Sequence, residues 1–151
     1  MTDAPGLEPI DGVRCLDLFA GVGGLGLEAM SRGADFVVFV EKNKRHVSSL
    51  KANLKSLGAE SFAEVVSFGV ENFDEWQRRG PYQLVFCDPP YALGVEPKVL
   101  DWLSRPGVLS DGAVVVMEHD PKTELFAPTG WELHSRRKLG PAGLTVFVRA
   151  S

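Results

Sequence analysis

The feature that most constrains the fold is a strand-like run joined to a helical segment by a glycine-rich loop. The run "VRCLDLF" (13–19) is mostly apolar, and the segment "LGLEAMSRG" (25–33) has the character of a helix that ends at a glycine. Between them, Gly21, Gly23 and Gly26 form the pattern G-x-G-x-x-G. A strand, a tight glycine loop and a helix in this order predict the first unit of an open α/β sheet.

The same alternation continues along the chain. Further strand-like runs are predicted at 35–41, 63–68, 82–88 and 113–118, with helices at 44–57, 71–79 and 95–104. Strands separated by helices are typical of a mostly parallel sheet with helices on its faces. The last segment, 130–150, has two extended runs around Gly140, Pro141 and Gly143, and it predicts an antiparallel hairpin at one end of the sheet.

The second predicted helix has a clear apolar face. Val47, Leu50, Leu54 and Leu57 recur with helical spacing, and Asn43 precedes the helix as its expected cap. This stripe is expected to pack on the core and to have no other role.

Length and composition indicate an ordinary globular protein. The 151 residues are 44% hydrophobic with a net charge of −4, and they predict one domain over residues 1–151. No apolar run approaches the roughly 20 residues that a membrane-spanning helix needs, so a cytoplasmic protein without a membrane partner is expected. Cys15 and Cys87 lie in apolar runs and are expected to be buried, reduced thiols.

Two carboxylates near the glycine loop indicate which kind of ligand the loop binds. Glu41 ends the second predicted strand 20 residues after Gly21, where it can accept hydrogen bonds from the ribose of an adenosine ligand. Asp17 would repel the pyrophosphate of NAD but suits the ammonium and sulfonium of S-adenosylmethionine (SAM). The charges therefore favour SAM. The alternatives are that Asp17 bonds the N–H groups of its own loop and that Glu41 is a solvated strand end.

The second motif is "CDPPY" (87–91), at the predicted carboxyl end of the fourth strand. In open α/β sheets, ligands bind at this edge, where the strand order reverses. Asp88 and the Pro89 carbonyl can accept the two hydrogens of an exocyclic amine. Pro90 holds the turn in one conformation, and Tyr91 offers a face for stacking a base. Attack of the aimed nitrogen on a sulfonium methyl would depend on positioning more than on a strong base.

Together these stretches resemble the class I SAM-dependent methyltransferases that act on amino groups. More closely, the chain resembles the bacterial RsmD family, which methylates N2 of a guanine in small-subunit ribosomal RNA. The resemblance runs from about Val13 to Arg149 and rests on "LDLFAGVGGLGLEAMSRGA", "FVVFVEKN", "SLKANL", "VFCDPPY" and "GWELHSRRKLGPAGLTVFVR". It implies a Rossmann-like fold with a mostly parallel seven-stranded sheet and SAM as the cofactor.

The resemblance also implies roles for individual residues. Cofactor contacts are implied for Asp17, Phe19, Ala20, Gly21, Gly23, Glu41, Lys42, Gly69, Val70 and Asp88, and catalytic contacts to the amine for Asp88, Pro89, Pro90 and Tyr91. In this family an acidic or amide side chain after the third strand usually meets the adenine. Since Gly69 occupies the matching position here, Glu71, Asn72 or backbone groups alone are the alternatives.

The chain departs from the family pattern at its front. Family members typically carry a basic segment before the first strand that helps to hold RNA. About a dozen residues precede Val13 here, and they include Asp3, Glu8 and Asp11. We therefore expect weakened RNA binding, from either a shortened family member or a catalytic core of a longer chain.

The remaining charged and nucleophilic side chains are assigned no special role. The basic clusters Lys42, Lys44 and Arg45 and Arg136, Arg137 and Lys138 could touch phosphates, but ordinary solvated surface is expected. His46, His119 and His134 lack the spacing of metal ligands, so no metal is expected. Cys87 is expected to be a buried thiol and not a nucleophile.

The sequence thus predicts SAM-dependent methylation of an exocyclic base amine, with guanine N2 of small-subunit ribosomal RNA favoured. The expected partner is ribosomal RNA or a small-subunit assembly particle, and the expected state is a monomer. Three alternatives stay open: an adenine-N6 methyltransferase acting on DNA or RNA, a cofactor-binding core with little activity alone and, least favoured, an NAD-dependent oxidoreductase.

Overall fold

The computed structural model describes residues 12–90 and 93–150. Its strands are β1 (Arg14–Leu18), β2 (Phe36–Val40), β3 (Ala63–Val66), β4 (Tyr82–Cys87), β5 (Leu109–His119), β6 (Trp131–Leu139) and β7 (Ala142–Arg149). Its helices are α1 (Gly24–Ser31), α2 (Lys44–Ser56), α3 (Phe73–Gln77) and α4 (Glu96–Leu103), with a 3-10 turn at Glu60–Phe62. None of these helices is long and apolar enough to cross a lipid bilayer.

The strands form one sheet in the order β3-β2-β1-β4-β5-β7-β6. The first five strands of this order are parallel, whereas β7 is antiparallel to both β5 and β6. The predicted seven-stranded α/β sheet with its C-terminal antiparallel hairpin is confirmed. The order of the strands in the sheet reverses between β1 and β4. The carboxyl ends of these two strands therefore flank the crevice in which such sheets bind ligands.

The central strands are buried on both faces, as expected of parallel strands covered by helices. On one face, Phe39 packs with Leu50 of α2, and on the other, Val38 belongs to a cluster that includes Trp76 and Leu103. Asn43 accepts hydrogen bonds from the first N–H groups of α2, so its predicted role as a cap is confirmed.

The two cysteines are buried, reduced thiols, as predicted. Burial raises the pKa of both Cys15 and Cys87, which keeps each sulfur in the thiol form. Since the thiolate is the nucleophilic form, Cys87 is poorly suited to attack a substrate despite its place next to Asp88.

Several predicted boundaries differ from the structure. The strand β3 ends at Val66 and not at 68, and α3 spans Phe73–Gln77 and not 71–79. The helix α2 ends at Ser56, and Leu57 is 66% exposed, because the chain turns away there into Gly58 at a φ of 65°. The strand β5 begins at Leu109 and not at 113, because Gly112 does not interrupt it despite a positive φ of 77°.

Candidate functional site

The three glycines of the G-x-G-x-x-G motif serve different purposes. At Gly23, an added Cβ would lie 2.3 Å from Cδ1 of Leu50, and at Gly26 it would lie 2.3 Å from Cε1 of Phe39. These two glycines let α1 approach α2 and β2 closely. At Gly21, with a φ of 60°, no atom lies within 4 Å of an added Cβ. Gly21 is therefore the glycine that leaves open space for a ligand.

The loop begins with a strained residue. Phe19 has a φ of 59°, in the left-handed region that bulky side chains rarely adopt. Such a conformation costs about 1–3 kcal/mol and persists where the surrounding structure holds it. Here the next residue is held in place, because the Ala20 N–H donates to the carbonyl of Val40 at 3.0 Å.

Glu41 ties the glycine loop to the start of α2. Its Oε1 accepts the Gly21 N–H at 2.7 Å and its Oε2 accepts the Asn43 N–H at 2.9 Å, with His46 Nδ1 at 3.8 Å. The Glu41 side chain is 11% exposed, so this carboxylate is fixed in the wall of the site. Each carboxylate oxygen can accept a further hydrogen bond, which leaves capacity for ligand hydroxyls.

Asp17 lies beneath the loop. It is 1% exposed, and its Oδ2 accepts the Gly26 N–H at 3.0 Å. Burial raises the pKa of Asp17 to about 7; the negative charges of Asp88 and Glu41 also raise it, whereas the hydrogen bond from Gly26 lowers it. The Gly26 contact matches the alternative in which Asp17 bonds its own loop. Asp17, Glu41 and Asp88 nevertheless repel one another, and a bound cation would reduce this repulsion.

A cleft of about 650 Å³ opens at the carboxyl ends of β1, β2 and β4. Its predicted lining residues are Phe19, Gly21, Glu41, Lys42, Gly69, Val70, Asp88, Pro89 and Pro90. Asp17, Ala20 and Gly23 are not among the residues that line it. Tyr91 lies outside the described residues. The cleft therefore joins the glycine-loop side to the "DPP" turn in one space of the size that small-molecule sites have.

Several lining residues were missed by the sequence analysis. They are Val40, Asn43, His46, Phe68, Leu93, Val95 and Trp102. The exposed Phe68 and Leu93, 50% and 51% accessible, carry a usable signal, since large apolar side chains left in solvent often mark a binding surface.

Glu71 also lines the cleft, and it lies over Gly69. An added Cβ at Gly69 would be 1.8 Å from Oε2 of Glu71. The absence of a side chain at position 69 thus lets the Glu71 carboxylate fold back to this wall. Of the two side chains considered for the adenine contact, Glu71 lines the cleft and Asn72 does not.

A second carboxyl group stands beside Asp88. Cys87 of β4 pairs with Met117 of β5 in parallel register, so that Asp88 and Glu118 follow at adjacent positions. Burial raises the pKa of Glu118, and the neighbouring Asp88 carboxylate raises it further. Glu118 is not among the residues that line the cleft. The sequence analysis missed Glu118, although it ends the β5 run just as Asp88 ends the β4 run.

The described residues contain no group of three or more histidine, cysteine, aspartate or glutamate side chains that could hold a metal ion. What the cleft offers is instead a carboxylate cluster, a glycine loop with free approach and a rigid proline turn. Such a site can bind a cationic nucleoside ligand and orient a hydrogen-bond donor next to it.

Comparison with known proteins decides the family. The family model described as "Conserved hypothetical protein 95" matches residues 4–148. The chain belongs to this family. It is the RsmD family, so both the resemblance inferred from the sequence and the expectation of a methyltransferase are confirmed.

Individual relatives of the RsmD family are about one third identical to the chain. The ribosomal RNA small subunit methyltransferase D of Escherichia coli K12 is 33% identical, over 97% of this chain and 82% of that protein. The protein of the same name from Buchnera aphidicola of Acyrthosiphon pisum is 32% identical over 82% of this chain. The match covers 64% of the Buchnera protein, less than two thirds of its length.

Solved structures of methyltransferases share the fold of this chain. A methylase from Haemophilus influenzae superimposes with a TM-score of 0.86 at 30% identity, covering 94% of this chain and 89% of that one. A more distant methyltransferase in complex with S-adenosylhomocysteine (SAH), 14% identical, has a TM-score of 0.77 over 92% of this chain and 46% of that one. At this identity the second structure shows a shared fold alone.

Proposed function

We propose that the chain transfers a methyl group from SAM to N2 of a guanine in small-subunit ribosomal RNA. The observation that carries the proposal is the cleft that joins the glycine loop and Glu41 to the turn at Asp88, Pro89 and Pro90. The names of the RsmD relatives, which describe ribosomal RNA methyltransferases, support the choice of substrate.

The charge of the site supports SAM as the cofactor. Asp17, Glu41 and Asp88 lie close enough for the latter two to raise the pKa of Asp17, so the site carries excess negative charge. SAM, when bound, supplies an electrophilic methyl group on a positively charged sulfur. A ligand with a sulfonium and an ammonium would relieve the repulsion among the carboxylates, whereas a pyrophosphate would increase it. The same charges disfavour NAD.

The pairing of Asp88 with Glu118 supports guanine as the base. The Watson–Crick edge of guanine carries two neighbouring donors, N1–H and the N2 amine, whereas that of adenine has an amine next to an acceptor nitrogen. Two adjacent carboxylates are acceptors when ionised, and they match the two donors of guanine. An adenine in the same pose would place its N1 lone pair against a carboxylate.

The chain's own residues can act on the amine in three ways. Asp88 can accept one amine hydrogen, which keeps the nitrogen lone pair directed at the cofactor side of the cleft. The Pro89 carbonyl can accept the other hydrogen, and the Asp88 carboxylate can take the proton that the nitrogen loses after methylation. These roles need fixed geometry, which the two prolines of the turn help to provide.

Nucleoside analysis after a transfer reaction tests the proposal. The purified chain would be incubated with methyl-labelled SAM and with small-subunit ribosomal RNA, free or as assembly particles, from a strain without its RsmD-family enzyme. We expect N2-methylguanosine. Label in N6-methyladenosine would show the alternative amine, and SAH binding without any transfer would show a cofactor-binding core. Binding of NADH in place of SAH would contradict the charge argument.

An RNA substrate of this kind is consistent with a cytoplasmic location, which we propose on that ground. The monomeric state and the extent of a single domain over residues 1–151 stay predictions from the sequence. Light scattering of the purified chain tests the first, and limited proteolysis tests the second.

A further inference from the structure

A second depression, of about 370 Å³, lies between the segment that follows β5 and the hairpin of β6 and β7. Four basic residues line it, and we call it the basic hollow: Lys122, Arg136, Arg137 and Lys138. Its remaining lining residues include His119, Thr145 and Glu124. Four cations around one depression are notable in a chain of net charge −4.

Three of these cations are left without a carboxylate. Arg136 lies 3.7 Å from Glu124 and donates to the carbonyl of Leu125, so it forms part of the wall. Within residues 12–90 and 93–150, Lys122, Arg137 and Lys138 form no ion pair with an acidic side chain, in contrast to most arginines of the chain. Cations without a carboxylate partner that line a concave surface form a site for an anion.

The floor of the hollow is held by hydrogen bonds of a buried histidine. His119 is 4% exposed; its Nε2 lies 2.7 Å from Oγ1 of Thr145 and its Nδ1 lies 2.8 Å from the Asp120 carbonyl. Because the carbonyl can only accept, Nδ1 of His119 donates to it, and the two hydrogen bonds together fix the ring. At Gly143, an added Cβ would lie 2.9 Å from Cε1 of His119, so glycine keeps this floor open.

The basic hollow lies at the same edge of the sheet as the cleft. His119 directly follows Glu118, which the register of β4 and β5 places next to Asp88. On the other side of the cleft, Lys42 lines the wall at the start of α2, where Lys44 and Arg45 follow. The amine site therefore lies between two groups of basic residues, an arrangement suited to a polyanion that crosses the carboxyl edge.

We propose that the basic hollow binds a backbone phosphate of the RNA strand that carries the target base. This inference rests on the proposed function and deepens it, since it names where the strand is held. Phosphate contacts fix the position of a nucleic acid without reading its sequence. The hollow thus supplies a second anchor for the RNA, on the far side of Glu118 from the cofactor.

A pair of charge reversals with a matched control tests the hollow. R137E/K138E changes the charge of the hollow, and K51E/K55E makes the same change in net charge at two exposed positions of α2 that likewise form no ion pair within the described residues. Filter binding to small-subunit ribosomal RNA would be measured over a series of KCl concentrations. We expect R137E/K138E to weaken binding at least tenfold and to reduce the salt slope by about two, whereas the control stays within about threefold.

Equal weakening by the two double variants would overturn the proposal, because it would show only a general effect of net charge. R137Q/K138Q keeps the test valid if charge reversal disturbs the hairpin, and it should weaken RNA binding in the same direction by a smaller factor. For every variant, SAH affinity and the thermal midpoint should match those of the wild type. The proposal would also be contradicted if R137Q/K138Q kept the SAH affinity and thermal midpoint of the wild type and bound RNA as tightly as the wild type does.

Competition with inorganic phosphate shows whether the hollow binds a phosphate of the RNA backbone or a free phosphate ion. At constant ionic strength, added phosphate should compete with RNA for the wild type and have no effect on R137E/K138E. Phosphate binding at the hollow with unchanged RNA affinity would assign it to a free anion and overturn the proposal. Because RNA binding is measured without turnover, failure to form N2-methylguanosine would refute the proposed function and leave the result on the hollow intact.

Discussion

The glycine-loop side of the cleft and the hairpin side of the molecule are built in opposite ways. Around Glu41 and Gly21 the polar groups are buried or nearly so, and hydrogen bonds within the protein hold them. Around Arg137 and Lys138 the charges are exposed and unpaired within the described residues. The difference indicates that the side proposed for the cofactor is shaped by packing and that the side proposed for RNA is shaped by surface charge. Substitutions on the first should change stability and cofactor binding together, and those on the second should change RNA binding alone.

The largest effect is expected where the two sides meet, at Asp88. D88A removes the acceptor that aims the amine, so we expect methyl transfer to fall about 10³-fold or more, on the scale that misplaced catalytic groups produce. SAH affinity, measured by calorimetry, should stay within about threefold.

D111A is a suitable control for D88A, because Asp111 is exposed near the start of β5, away from the cleft. It should leave turnover unchanged. If D88A kept wild-type turnover, the assignment of the amine site would be wrong.

A further large effect is expected in the stability of two glycine variants, which test whether packing shapes the glycine-loop side of the cleft. G26A would force a methyl group against the Phe39 ring, and we expect a loss of about 3 kcal/mol in the free energy of unfolding. G21A meets open space, so only its positive φ of 60° opposes it, at about 1 kcal/mol. Urea denaturation of both variants measures the difference. Equal losses would mean that the two glycines do not divide their roles as described.

Asp17 should show a pH dependence of the opposite sign to that of most carboxylates. Its pKa is raised from 3.8 to about 7, so the folded state binds the proton more tightly than the unfolded state does. Stability therefore falls as pH rises between about 4 and 7. D17N removes this penalty, and we expect it to stabilise the ligand-free protein on the order of 4 kcal/mol at pH 8 and by little at pH 4.

Unfolding curves at these two pH values check the prediction for Asp17, and SAM titration should show weaker binding to D17N. An equal effect of D17N at both pH values would contradict a buried carboxylate that ionises near neutrality.

The smallest effect concerns the choice of base. E118Q replaces a carboxyl group by an amide of the same size, and we expect about a tenfold loss in kcat/KM on guanine. Because the pKa of Glu118 is raised, wild-type activity should fall as pH decreases through that pKa, and this fall should be weaker in E118Q. A pH–rate profile for both proteins checks this expectation, with E132Q on β6 as the control. If the pH–rate profile of E118Q matched that of the wild type, Glu118 would have no role in the site.

Much of the fold could be predicted because it depends on local patterns. Apolar runs of strand length and the cap at Asn43 are local signals, and they gave the sheet, the hairpin and most of the element positions. The predicted continuation of the α2 stripe to Leu57 failed because periodicity does not report where a glycine turns the chain. The order of β1 and β4 was predictable from the motif at the end of each strand.

The candidate site was predictable only in part. Residues within a motif, such as Gly21 and Asp88, were found because the chemistry of each motif is local. Glu118 was missed because it lies next to Asp88 only through the pairing of β4 and β5, which are distant in sequence. The burial of Asp17 was also out of reach, since a strand pattern does not show which carboxylate faces the core and which faces a ligand.

The placement of β6 has a consequence for solubility. It is one outer strand of the sheet, and β3 is the other. Free strand edges can pair with a second molecule and start aggregation. β3 offers only four residues for such pairing, whereas β6 is nine residues long and carries three consecutive cations, Arg136, Arg137 and Lys138. The same side chains that we assign to RNA would keep two copies of this edge apart by repulsion, so neutralising them removes a safeguard against self-assembly.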